Sequence, residues 1–153
     1  FYSTRIKSVM ILESHIDSYL QSLEDNVNDR FLEEKEFLAY LASDNFDVLN
    51  DGERKVMFFC CEVIFHAYKN CHGEFPELDM DAFYINEEKN WTIRENASSW
   101  DECKDTFFKE SEEEDMLAFV EDILVDDEDE GMTDIGKEFI FILCMSYVDT
   151  ITL

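Results

Sequence analysis

With 153 residues and 12 Lys and Arg against 38 Asp and Glu, the chain carries a formal charge of −26 at neutral pH. That surplus argues against nucleic acid and against an anionic membrane surface as partners, because both call for a basic footprint. Apolar residues make up 46%, fourteen Phe among them, which excludes global disorder; one Pro and four Gly favour long helices over a turn-rich β architecture.

The first helix is expected over 4–23, where Val9, Leu12, Ile16, Tyr19, Leu20 and Leu23 recur at helical spacing. A second is expected over 28–42, with Phe31, Leu38 and Leu41 inward. Asn50-Asp51-Gly52-Glu53 then breaks the pattern, and Asn50 with Glu53 makes a capping box for a third helix over 51–70. Between 56 and 68 only Glu62 and His66 are strongly polar, so this helix needs enclosure on nearly every side. Gly73 and Pro76 punctuate its end.

The stretch 78–95 reads as helix, although Tyr84-Ile85 and Trp91-Thr92-Ile93 also suit short strands. Ser99 with Glu102 and Ser111 with Glu114 are two further capping boxes, opening helices over 100–109 and 112–125. Thr133 caps a last helix running to about Thr150, apolar all round over 139–148. These readings define an all-α fold: one acidic helical domain over 1–153, a bundle of about six or seven helices with 56–68 and 139–148 at its centre. Neither apolar run reaches the roughly 20 residues of a membrane span.

The five cysteines, Cys60, Cys61, Cys71, Cys103 and Cys144, are odd in number and mostly in apolar helical settings. They read as reduced thiols of a cytoplasmic protein. No signal peptide is visible at Phe1, Tyr2 and Ser3, although the chain opens without Met.

Glu62 and His66 lie four apart on one helical face and form a candidate buried polar pair, either a structural hydrogen bond or the seed of acid–base chemistry. Catalysis needs a third positioned group, and none is visible, so no catalytic residue is assigned. Cys61, His66, Cys71 and His72 are zinc-type ligands without the closely spaced pairs that zinc sites use. The run from Asp126 to Gly131 imitates the start of a calcium loop, but Lys137 stands where a bidentate Glu is required. No metal, cofactor or enzymatic activity is therefore expected.

Charge is unevenly placed: 110–138 holds 14 acids and one base. Carboxylates at helical spacing lie about 5–6 Å apart, close enough to imitate successive phosphates. The expected partner surface comprises Glu112, Glu113, Glu114, Asp115, Asp126, Asp127, Glu128, Asp129 and Glu130. The expected partner is a basic protein, in its most concrete form the nuclease domain of a toxin held by an inhibitor or immunity protein. Two other readings stay open: an adaptor or regulatory domain binding through an apolar groove, and an enzyme using Glu62 and His66.

Overall fold

The computed structural model describes residues 10–22, 30–126 and 131–152. Among these residues seven α-helices follow in order: α1 Glu13–Ser22, α2 Lys35–Leu41, α3 Asp51–His72, α4 Met80–Asn96, α5 Trp100–Glu110, α6 Glu114–Asp126 and α7 Asp134–Thr152. Short 3-10 turns occupy Arg30–Glu33 and Asp44–Phe46, and no strand occurs among the described residues. The expected all-α bundle is what forms, and the ambiguous 78–95 stretch is helix α4.

α7 is buried without interruption from Ile140 to Val148, and α3 from Cys60 to Ala67 except at Glu62. α3 and α7 pack on each other, α1 covers α3, α4 lies along α7, and α6 closes against α7. Aromatic rings fill the spaces: Phe37 stacks on Tyr147 at 4.5 Å, and Phe141 meets Phe107 at 6.0 Å and Trp100 at 5.5 Å. Full burial of one such side chain contributes about 1.5–3 kcal/mol.

The two central helices begin side by side, joined by Glu53. Asn50 accepts from the Glu53 N–H at 2.8 Å and its own N–H donates to Glu53 Oε1 at 2.9 Å, which completes the expected capping box. Glu53 Oε2 then accepts from the Thr133 N–H and hydroxyl, both at 2.8 Å. The Thr133 hydroxyl in turn accepts from the Gly136 N–H at 2.9 Å and caps α7. Burial pushes the Glu53 carboxyl up, yet these hydrogen bonds outweigh it and hold its pKa below the ordinary glutamate value. Gly136 is required by proximity, since a Cβ there would lie 1.9 Å from Glu53 Oε2.

Three expectations need correction. Within the described residues the first helix begins only at Glu13, and Leu12, placed on the apolar face, is 45% exposed. The backbone N–H groups of Ile11 and Glu13 are held instead by carboxylates from the start of α6, and Leu12 N–H donates to His15 Nδ1. Residues 4–9 and Leu23 lie outside the described residues.

The helix expected over 28–42 is broken at Glu34 (φ −80°, ψ 68°), leaving a 3-10 turn and the short α2. Phe31 and Phe37 explain the break: at about 100° per residue they would sit roughly 120° apart on one helix. The break brings both inside, edge to face at 6.3 Å, and Leu38 is left half-buried.

The two later capping boxes do not close. Ser99 does accept from the Glu102 N–H at 3.1 Å, but the Glu102 carboxylate takes Ser98 N–H at 2.6 Å. Ser111 accepts from Glu113 N–H, not from Glu114, because α6 starts at Glu114, two residues later than a box from Ser111 would need.

Gly136→Ala should destabilise the protein by about 1–3 kcal/mol, the usual cost of forcing atoms into a filled site. Glu53→Ala should cost a similar amount, since it removes the cap of one helix and leaves Thr133 N–H without its acceptor. Urea unfolding of both variants checks this. Equal midpoints for Gly136→Ala and the parent protein would mean that the close approach does not exist.

Candidate docking face

The acidic run at the start of α6 does not act as one surface. Glu112 and Glu114 are exposed. Glu113 is only 8% exposed and accepts from the Ile11 N–H at 3.0 Å, so it is not part of an exposed face. Asp115 is exposed, but its Oδ2 accepts from the Glu13 N–H at 3.0 Å. Glu113 and Asp115 thus bind the entry to α1, where free N–H groups and the positive helix end favour a carboxylate.

A cavity of about 280 Å³ opens at this junction, lined by Met10, Ile11, Leu12, Ser111, Glu112, Glu114 and Asp115. Met10 and Leu12 are 40% and 45% exposed, so the groove combines apolar surface with an acidic rim. Asp126 is the last residue of α6, while Asp127, Glu128, Asp129 and Glu130 lie outside the described residues. Glu110 and Asp122 add exposed carboxylates on α5 and α6.

Many cations are already engaged. Arg30 pairs with Glu34 at 2.9 Å, Arg54 with Asp47 at 3.2 Å, Arg94 with Glu138 at 2.7 Å and Lys104 with Glu121 at 2.9 Å. The carboxylates of Glu112 and Glu114 belong to none of the ion pairs seen among the described residues.

The Glu62–His66 pair is differently placed at its two ends. His66 is buried, stacked on Tyr19 with centroids 4.3 Å apart and planes 5° apart, and edge-on to Phe65 and Phe75. Glu62 is half-exposed. The imidazole therefore serves the α1–α3 contact as a flat aromatic body. All five cysteines are free, four of them buried. Cys144 forms thiol hydrogen bonds with Cys60 and Cys61; the first pulls its pKa down, but Cys61 and burial carry it well above the ordinary value. Such thiols are inert. Among the described residues no group of three or more His, Cys, Asp or Glu is arranged to hold a metal ion. No described helix is long and apolar enough to cross a membrane.

Two polar features escaped the sequence reading. Along the α4–α7 contact, buried Asn90 donates to Ser146 Oγ at 3.0 Å and Asp149 Oδ2 at 3.3 Å, and Asn86 donates to Thr150 Oγ1 at 2.9 Å. The signal for this seam is the i, i+4, i+8 spacing of Asn86, Asn90 and Arg94, facing Glu138, Ser146, Asp149 and Thr150. The second feature is Tyr40, whose hydroxyl donates to Glu87 across 47 residues of sequence. No local pattern announces it.

Comparison with known proteins finds no matching family model, no matching curated sequence and no matching solved structure.

Three carboxyls are pushed up by burial: Glu113, further raised by the Glu112 and Asp115 charges, Glu87 against its Tyr40 bond, and Asp149 against Asn90 and Lys89. For these the folded protein takes up protons before the unfolded chain does, so stability rises as pH falls through their folded values towards the unfolded ones. Glu53 has the opposite sign, and its contribution is lost as pH falls below the ordinary glutamate value. Stability against urea should therefore climb on mild acidification from neutral pH, then collapse in stronger acid. Glu113→Gln, which keeps an acceptor for Ile11 N–H without the charge, should start higher at neutral pH and show a shallower climb. An unchanged slope in that variant would show that general charge repulsion alone causes the rise.

Proposed function

We propose that this chain is a non-enzymatic binding protein that engages a basic protein through exposed carboxylates at the start of α6 and through the acidic run from Asp126 to Glu130. The observation that carries this reading is the 14 acids against one base in 110–138, joined to the ion-pair pattern above. Glu112 and Glu114 line the groove rim, where no Lys or Arg joins them, and stand in none of the ion pairs among the described residues, so they meet solvent or a partner. Clustered like charge raises the energy of the free protein, and a cationic partner relieves it on docking.

In its most concrete form the partner is a nuclease-type toxin, and this chain its inhibitor or immunity protein in the cytoplasm. A nuclease groove is lined with basic groups for phosphate, and a helix bearing carboxylates offers a substitute for successive phosphates. The five free cysteines suit a reducing compartment. The adaptor reading draws on Met10 and Leu12, whose exposed surface in the groove suits an apolar partner segment.

The partner retained on the immobilised chain at low salt, and released as salt rises, supplies the analyte for kinetic measurements. Replacing Glu112, Glu114, Asp126, Asp127, Glu128, Asp129 and Glu130 by their amides should lower the on-rate by about tenfold or more, with little change in off-rate. The salt dependence of the on-rate should flatten in the same variant, because exposed charges are screened over about 8 Å at physiological ionic strength. Glu113 and Asp115 are kept, since they hold Ile11 and Glu13. Replacing Met10 and Leu12 by Ser tests the adaptor reading: binding that ignores salt and the seven amides but fails in this variant would replace the electrostatic proposal.

A further inference from the structure

We propose that the cavity framed by Tyr40, Phe46, Trp91 and Phe139 binds an alkylated ammonium head group, with Glu87 as its counter-charge. The cavity is about 220 Å³ and is completed by Asn45. Its four rings come from four separate segments: α2, the second 3-10 turn, α4 and α7. Tyr40 and Phe46 meet at 85° with centroids 5.3 Å apart, and Trp91 meets Phe139 at 63° and 4.8 Å. Each pair forms a corner, and the two corners bound one space. Tyr40 is fixed from behind by edge contacts to Phe83 and Tyr84 at 5.5 and 5.4 Å, so the frame exists before any ligand arrives.

Glu87 supplies the charge. Its carboxylate is half-buried, accepts the Tyr40 hydroxyl, and belongs to none of the ion pairs among the described residues. Burial has pushed its pKa up, which marks a carboxylate short of counter-charge. Aromatic rings attract cations to their faces, most effectively when the cation is weakly hydrated. The donor count then selects the ligand. An N–H aimed at a ring wall gives up its water for a weak acceptor, and a bare ammonium with three donors or a guanidinium with five turns several of them that way. A dimethylated ammonium brings one donor and a trimethylated one none, and both present methyl groups to the rings. The cavity shares no residue with the docking face, and the proposal does not rest on that reading.

The test is calorimetric titration of the intact chain, at constant ionic strength, with choline and with 3,3-dimethylbutan-1-ol, its neutral isostere. Choline should bind about tenfold or more tightly than the isostere. Glu87→Gln keeps an acceptor for Tyr40 and the shape of the site, and should remove most of that preference. Trp91→Leu should weaken choline as well; if it fails to fold, Trp91→Phe is used, with a smaller loss expected. A trimethyl-lysine peptide and its unmethylated twin identify the source of the head group. A peptide preferred over choline, and over its twin, assigns the site to a modified protein; choline preferred over the peptide assigns it to a small molecule. Equal affinity for choline and isostere, no heat with choline up to on the order of 50 mM, or an unchanged preference in folded Glu87→Gln each overturns the proposal.

Discussion

The bundle depends on one buried carboxylate shared between two helix starts. α3 and α7 carry its longest buried runs, and apolar contact is non-directional, so burial alone does not set how far one helix slides along the other. Hydrogen bonds set it. Glu53 closes the cap of its own helix through Asn50 and reaches both polar groups of Thr133, which caps α7. Two sets of unpaired N–H groups and two positive helix ends converge there, and a single negative charge answers both. At the other end of α7, Asn90 and Asn86 of α4 bond Ser146, Asp149 and Thr150. The central helix is thus pinned at its start by α3 and along its last two turns by α4, with nine consecutive buried residues between. Gly136 follows from the first pin, because no side chain fits where the Glu53 carboxylate lies.

Seen this way, the large negative charge is several properties. Glu53, Glu113 and Asp115 accept backbone N–H groups at helix entries, work more often given to Ser, Thr or Asn. Glu34, Asp47, Glu121 and Glu138 neutralise cations between elements. Glu87 and Asp149 sit half-buried, and burial raises their pKa values against the hydrogen-bond donors they face. The exposed carboxylates outside these groups, Glu36, Glu74, Asp105, Glu112, Glu114 and Asp122 among them, are surface charge in the ordinary sense. Net charge read from composition cannot separate these classes, since the separation depends on which N–H or cation each carboxylate meets in three dimensions.

The same boundary explains what the sequence made legible. Helix existence, and the enclosure of 56–68 and 139–148, follow from periodicity and from missing polar residues, both local. Asn50 with Glu53 and Thr133 were readable as caps because a cap spans three or four residues. That Glu53 serves both caps was not, since Thr133 lies 80 residues away. The break at Glu34 was hidden because Phe31 and Phe37 both demanded burial from a stretch whose local pattern suits a continuous helix. At the candidate face, composition pointed to the start of α6 but assigned Glu113 to the outside, where an unbroken acidic run naturally places it. The aromatic cavity had no local signature at all, its four rings being scattered from residue 40 to residue 139.

The division of labour within Glu112, Glu113, Glu114 and Asp115 has a consequence for how binding and folding communicate. Glu113 holds Ile11 through its carboxylate, and its pKa is raised first by burial and further by the charges of Glu112 and Asp115. A cationic group arriving at the groove would oppose that repulsion and lower the Glu113 pKa towards the ordinary value. The buried charge that accepts from the Ile11 N–H would then cost less to hold in the docked state. Docking of a basic partner, as proposed, would therefore be linked with the same sign to attachment of α1 to α6, and linkage is reciprocal. Loosening the Glu113–Ile11 contact should weaken binding even though the Glu113 carboxylate is turned inward to Ile11, and it would do so through the off-rate, in contrast to the rim charges that act on encounter.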